Sequence, residues 1–172
     1  MGSFSIRADD SYLLNRVGAA DSVCIIACPH CANQSIAYTK GMSIIGKSSL
    51  GGLYYKPYAI IQEAKRLKEL FASKGITSRI EIFKKNDSPP CWLHEKERKS
   101  ISKACEKANV AVTLCCSAGC NGIKTALPES FKVVAGATVG SICSYISIEK
   151  GKDILDKEKT EVTHFKKMKT PM

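Results

Sequence analysis

Apolar residues in this chain come in two kinds of run. Val23-Cys24-Ile25-Ile26-Ala27 and Val110-Ala111-Val112-Thr113-Leu114 are short and nearly continuous, the pattern of central strands covered on both faces. Ser78 to Phe83 alternates apolar with polar residues, as a half-covered strand does, and Phe131-Lys132-Val133-Val134-Ala135 reads as a fourth strand. Between these runs the period lengthens. Ile60, Ile61, Ala64, Leu67, Leu70 and Phe71 recur every three or four residues, which predicts an amphipathic helix over 57–74 opened by Pro57 and closed by Gly75. A charged helix is predicted over about 95–108, a short helix or turn over 31–39, and a short helix over 118–127 stopped by Pro128. The remainder is less regular. Residues 1–21 read as an irregular or short helical lead-in, and the Gly/Ser-rich stretch 41–56 as a long loop, either a lid or an excursion. Residues 149–172 read as a helix, an extended Thr160–Phe165 segment and a frayed end.

Strand and helix alternate along this order, which predicts an α/β fold. Right-handed crossovers narrow it to a three-layer Rossmann-like or flavodoxin-like arrangement with a mostly parallel sheet of four to five strands. One domain is expected over 1–172, its core at about 22–145 and a basic C-terminal extension at 146–172. In such sheets ligands bind outside the carboxyl ends of the strands.

At 172 residues and 44% hydrophobic content the chain is long enough to bury a core. No apolar run approaches the ~20 residues needed to cross a bilayer, and the first ten residues lack the apolar centre of a signal peptide. A cytoplasmic location is expected, where thiols stay reduced. The formal net charge is +10. Acids and bases alternate, however, in Glu63, Lys65, Arg66, Lys68, Glu69 and in Glu95, Lys96, Glu97, Arg98, Lys99, which marks solvated helix faces. No RNA-binding aromatic motif or helix-turn-helix pattern accompanies them, which argues against nucleic acid. A basic surface can still steer an acidic partner.

Cysteine placement changes the picture most. Six of nine cysteines fall in or beside turns that follow predicted strands. Cys28-Pro29-His30-Cys31 follows the first buried run, Cys115-Cys116-Ser117-Ala118-Gly119-Cys120 follows the second, and Cys91 lies in the loop Asp87-Ser88-Pro89-Pro90-Cys91-Trp92-Leu93. Strand ends of a parallel sheet share one rim, so the two clusters are expected to meet there. Successive side chains alternate on an extended chain, so Cys115 is expected to face the core and Cys116 and Cys120 the rim. Cys28, Cys31, Cys116 and Cys120 then offer four thiolates for zinc or an iron–sulfur cluster, with Cys91 a fifth candidate and His30 an alternate ligand. The same thiols allow dithiol chemistry, Cys28 or Cys31 attacking a disulfide and Cys116 or Cys120 resolving it. Cys24, Cys105 and Cys143 read as small buried hydrophobes, His94 and His164 as surface or helix-cap residues, and Trp92 as a loop anchor.

Other chemistry is thin. No carboxylate pair, Ser-His-Asp set or HExxH signature is present. Gly41-Met42-Ser43-Ile44-Ile45-Gly46-Lys47-Ser48 satisfies G-x-x-x-x-G-K-[ST] as a string. No buried strand precedes it and the residues after it start a helix poorly, so it reads as a chance match.

Two resemblances follow from these residues. Cys28-Pro29-His30-Cys31 resembles the active-site tetrapeptide of oxidising thioredoxin-fold disulfide oxidoreductases, without the proline-led strand that fold places downstream. The wider order is similar to the small C-terminal domain, or separate partner subunit, of anaerobe-type methylenetetrahydrofolate reductases. It is carried by the first run with Cys28–Cys31, the second run with Cys115–Cys120, and Val133-Val134-Ala135-Gly136-Ala137-Thr138-Val139-Gly140, and it covers roughly 22–145. That resemblance implies an accessory or electron-transfer domain linked to one-carbon metabolism, beside a flavoprotein or other redox partner subunit. The chain departs from it in having no cysteine after Cys143, and it is too short for the flavin barrel, which takes about 250 residues. The expected function is a cysteine-rich accessory domain holding a metal or iron–sulfur cluster. The alternatives are a dithiol oxidoreductase using Cys28 and Cys31, or a non-enzymatic module binding a partner through its basic surface and the 41–56 loop.

Overall fold

The computed structural model of the chain describes residues 2–48, 55–83 and 87–164. In chain order its elements are β1 (Gly2–Arg7), α1 (Asp10–Val17), β2 (Ser22–Ala27), α2 (Cys31–Thr39), β3 (Ile44–Ser48), β4 (Tyr55–Pro57) and α3 (Tyr58–Ala72). There follow β5 (Thr77–Ile82), α4 (Glu95–Cys105), β6 (Val110–Leu114), α5 (Ser117–Thr125), β7 (Lys132–Ala135), β8 (Ala137–Glu149) and β9 (Lys152–His164). The strands form two sheets. One is parallel, in the order β5-β2-β6-β7, and the other antiparallel, in the order β1-β8-β9-β3-β4.

Every residue of β6, and all of β2 after Ser22, is buried, as their unbroken apolar runs require. They are the two central strands of the parallel sheet, in register from Val23 opposite Val110 to Ala27 opposite Leu114. The amphipathic helix predicted at 57–74 is α3, which packs on β5 and β2. It ends at Ala72, and the chain reverses through Gly75 at φ +74°, a conformation glycine adopts without steric cost.

The antiparallel sheet departs from the expectation of a single, mostly parallel one. Part of the stretch read as a loop, residues 44–48 and 55–56, falls in the strand pair β3 and β4, while 49–54 lie outside the described residues. The stretch read as a C-terminal helix is largely β9. Its Lys/Glu-rich composition favours helix in isolation, but pairing with β8 along its length and with β3 overrides that local preference. A two-residue turn, Lys150-Gly151, closes the β8–β9 hairpin with positive φ at both positions (47° and 71°). That is the backbone of a type I′ hairpin turn. Residues 2–7, read as irregular, pair antiparallel with β8. The frayed end at 165–172 lies outside the described residues.

Helix α2 joins the two halves. It packs on β1 and α3 and touches β3, β8 and β9, and it buries Ala32, Asn33, Ser35, Ile36 and Ala37. Asn33 donates from Nδ2 to the Ile45 carbonyl (2.9 Å) and accepts at Oδ1 from the Ile60 N–H (2.9 Å), stitching α2 to β3 and α3. Glu63, fully buried on α3, pairs with Lys40 and with Arg66 at 2.8 Å. Apolar residues of both sheets, Ile25 and Val112 with Ile45 and Leu155, join one core cluster.

The phosphate-loop string gains no support. Residues 44–48 are a strand in a meander, not a loop opening a helix, and Lys47 Nζ lies 5.2 Å from the centre of the Tyr58 ring. Among the described residues no helix is long and apolar enough to cross a membrane.

Candidate functional site

From β2 the chain crosses to β5 on one side of the parallel sheet, and later to β6 on the other. The direction of winding switches between β2 and β6, and parallel sheets bind ligands beyond the carboxyl ends of their strands at such a point. Cys28 is the first residue past β2, and Cys115 the first past β6. The ladder continues into this pair, because the Cys28 N–H donates to the Leu114 carbonyl at 3.1 Å. Neighbouring strands run about 4.8 Å apart, so one step beyond the Ala27–Leu114 pair places Cys28 beside Cys115. That spacing lies inside the Cα–Cα window a disulfide needs.

The two sulfurs interact directly. The Cys115 thiol donates to Cys28 Sγ, and this contact is the largest influence holding the Cys28 thiol below its ordinary value of 9.0. Burial opposes the shift, and the backbone N–H groups of His30 and Ala32, in the first turn of α2, support it. A helix N-terminus carries unsatisfied amides and partial positive charge, which favour an anion there. Cys115 responds in the opposite sense: burial, and then the Cys28 contact, push its thiol well above 9.0. The pair therefore shares its protons unequally. Of the two, Cys28 is the more acidic and Cys115 the less. The Cys115 thiol also has an acceptor in the Ile26 carbonyl, 3.8 Å from its sulfur.

The other rim cysteines surround this pair. Cys31 is the first residue of α2 and half-buried, Cys116 is the N-cap of α5 and buried, and Cys120 lies one turn into α5, half-buried. Cys91 is exposed. Its loop rests on α5, and glycines make that seat. A Cβ at Gly122 would lie 1.9 Å from the Pro90 carbonyl oxygen, and one at Gly119 would lie 3.3 Å from Pro90 Cβ and 3.0 Å from Cys115 Cβ. The seated loop brings Cys91 within the electrostatic reach of Cys116, Cys28 and Cys31. Partial burial pushes its thiol up, and negative charge on those sulfurs adds to the effect.

The two clusters, more than eighty residues apart in sequence, thus meet at one rim with Cys91 beside them. As expected, Cys115 faces the core. Yet it is Cys115, outside the predicted site set, that has the largest influence on the Cys28 thiol. The signal that finds it is register: a thiol immediately after each of two adjacent buried strands. Seven further residues fall as follows. Cys24 and Cys105 are buried, as expected of packing residues, and hydrogen-bond to each other. Cys143 is exposed on β8, not buried, and Trp92 is 72% exposed and so does not anchor its loop. His94 is the N-cap of α4 and His164 ends β9. His30 is the N-cap of α2, its imidazole held below the ordinary value by partial burial.

Among the described residues no three His, Cys, Asp or Glu side chains are disposed to hold a metal ion. The proposed ligands Cys28, Cys31, Cys91, Cys116 and Cys120 share the rim without forming such a group. A cavity of about 180 Å³ at the end of β5 is lined by Phe83, Asp87, Lys96 and Glu97 among others, and no cysteine lines it. No protein family, curated protein or solved structure matches the chain.

Proposed function

We propose that the protein is a dithiol–disulfide exchange protein, with Cys28 the nucleophile and Cys115 its partner. One observation carries the reading: Cys28 and Cys115 stand side by side at the winding switch, with a thiol donor and two helix amides directed at a single sulfur. Counted along the chain, the parallel strands lie in the order 2-1-3-4, the start of the flavodoxin-like order. This supports a flavodoxin-like, Rossmann-like reading of that half of the fold, and with it a site at this switch point.

In the reaction, the Cys28 thiolate attacks one sulfur of a disulfide R–S–S–R′. It forms Cys28–S–S–R and expels R′S⁻, which takes the proton of Cys115. The Cys115 thiolate then attacks Cys28 Sγ, forming the Cys28–Cys115 disulfide and expelling RS⁻, which solvent protonates. One substrate disulfide is reduced and two protein thiols are oxidised. The helix amides lower the cost of the first thiolate, and the buried Cys115 supplies the proton where the leaving group departs.

The rival reading, zinc or an iron–sulfur cluster on Cys28, Cys31, Cys91, Cys116 and Cys120, draws on the same crowding of sulfur but finds no three-group cluster to stand on. Metal analysis and a visible spectrum of anaerobically isolated protein separate the two. Disulfide mapping by mass spectrometry after equilibration in a glutathione redox buffer tests the exchange reading. A Cys28–Cys115 disulfide that forms reversibly is the expected result. A pair that stays reduced throughout, in a protein carrying stoichiometric metal, sinks it.

A further inference from the structure

The sulfurs of the rim are graded in exposure. Cys115 is 2% and Cys28 6% exposed, Cys31 and Cys120 are intermediate, and Cys91 is exposed. A pair buried this deeply cannot take up a disulfide held in another polypeptide, because the attacking sulfur must reach its target in line. The Cys91 loop is built to stay near the pair. Gly119 and Gly122 clear the ground on which Pro90 lies, and at Gly122 even a methyl group would collide with the Pro90 backbone. The next residue, Trp92, presents an exposed aromatic ring beside the exposed thiol, the kind of side chain that makes contact surface at small entropic cost.

Building on the exchange reading, we infer that Cys91 is the outer exchange thiol of a relay: it accepts the disulfide of a polypeptide substrate held against Trp92 and passes it inward to Cys28 and Cys115. The Cys91 thiolate, its proton lost to solvent, attacks R–S–S–R′, forms Cys91–S–S–R and releases R′S⁻, which solvent protonates. The Cys28 thiolate attacks Cys91 Sγ, forming a Cys28–Cys91 disulfide and releasing RS⁻, likewise protonated. Cys115 attacks Cys28 Sγ and expels Cys91 as a thiolate, which takes up the Cys115 proton. The net change is that of the direct reaction.

The test uses the full chain, fully reduced, with two oxidants: a synthetic peptide dimer joined by one cystine, and hydroxyethyl disulfide, small enough to approach Cys28 directly. Formation of the Cys28–Cys115 disulfide is followed by quenched-flow alkylation and mass spectrometry. With the peptide dimer, Cys91→Ser is expected to slow it at least about tenfold, because access governs exchange rates, while hydroxyethyl disulfide still oxidises that variant and Cys143→Ser behaves as wild type with both. Cys28→Ser, which stops the relay after its first step, is expected to accumulate a Cys91–peptide mixed disulfide. Wild-type rates for Cys91→Ser with the peptide dimer overturn the relay and leave the exchange reading standing. Failure of wild type to form the Cys28–Cys115 disulfide with either oxidant overturns both.

Discussion

At the scale of single residues, Cys28 is defined by what donates to it. Its sulfur accepts from the Cys115 thiol first and from the His30 and Ala32 amides second, and these contacts outweigh a burial that acts in the opposite direction. Removing the first donor is therefore expected to matter most. In Cys115→Ala the Cys28 midpoint rises toward 9.0, so its alkylation by iodoacetamide near neutral pH slows, while the plateau rate at high pH rises because a more basic thiolate is the better nucleophile. Cys31→Ala, which removes no donor to Cys28, leaves the midpoint in place. A pH–rate profile measured with peptide-resolved mass spectrometry checks both statements, and an unmoved midpoint in Cys115→Ala contradicts the pairing.

At the scale of elements, the site depends on two joints. Asn33 ties α2 to β3 and α3 through one accepted and one donated bond, all of it buried. Asn33→Ala leaves the Ile45 carbonyl and the Ile60 amide unsatisfied and is expected to cost about 3 kcal/mol, read by urea unfolding. The second joint is the seat of the Cys91 loop on α5. Gly122→Ala puts a methyl group into the Pro90 backbone, so the loop must lift; overpacking of this kind costs about 1–3 kcal/mol. Trp92 is the sole tryptophan and rides on that loop, so acrylamide quenching of its fluorescence reports the displacement directly. Quenching equal to wild type would show that the loop is not seated there. These joints also explain what the sequence disclosed. The parallel half was legible because β2 and β6 are buried on both faces and spell it out as unbroken apolar runs, and the meeting of the two cysteine clusters follows from their places at strand ends. The antiparallel half was not. β9 has helical composition and is a strand only because β8 and β3 hold it, and the one local clue was the Lys150-Gly151 turn. Cys115 was hidden for a related reason: alternation along its own strand shows that it points inward, but only register between strands shows that Cys28 is there to meet it.

For the molecule as a whole, the redox state of one pair is coupled to the stability of the entire fold. A Cys28–Cys115 disulfide closes a loop of about 90 residues, and in the chain-entropy account such a loop adds about 4–5 kcal/mol to stability. The reduced protein has its own advantage. Cys28 has a folded value below its unfolded one, so its contribution is fully present above the unfolded value near 9.0 and is lost as pH falls through the depressed folded value. Cys115, raised in the fold, contributes fully below 9.0 and adds no slope in that window. The oxidised protein carries neither titration. The stability gap between oxidised and reduced forms is thus expected to be widest at mildly acidic pH, approaching the entropic figure, and to narrow steadily as pH rises toward 9.0. By the thermodynamic cycle linking folding to oxidation, the disulfide then becomes easier to reduce, relative to the same pair in the unfolded chain, as the gap narrows. Urea unfolding of both forms across this range measures the gap. A gap that stays constant or widens with pH would mean that the fold does not favour the Cys28 thiolate, and the chemistry proposed for the rim would lose its nucleophile.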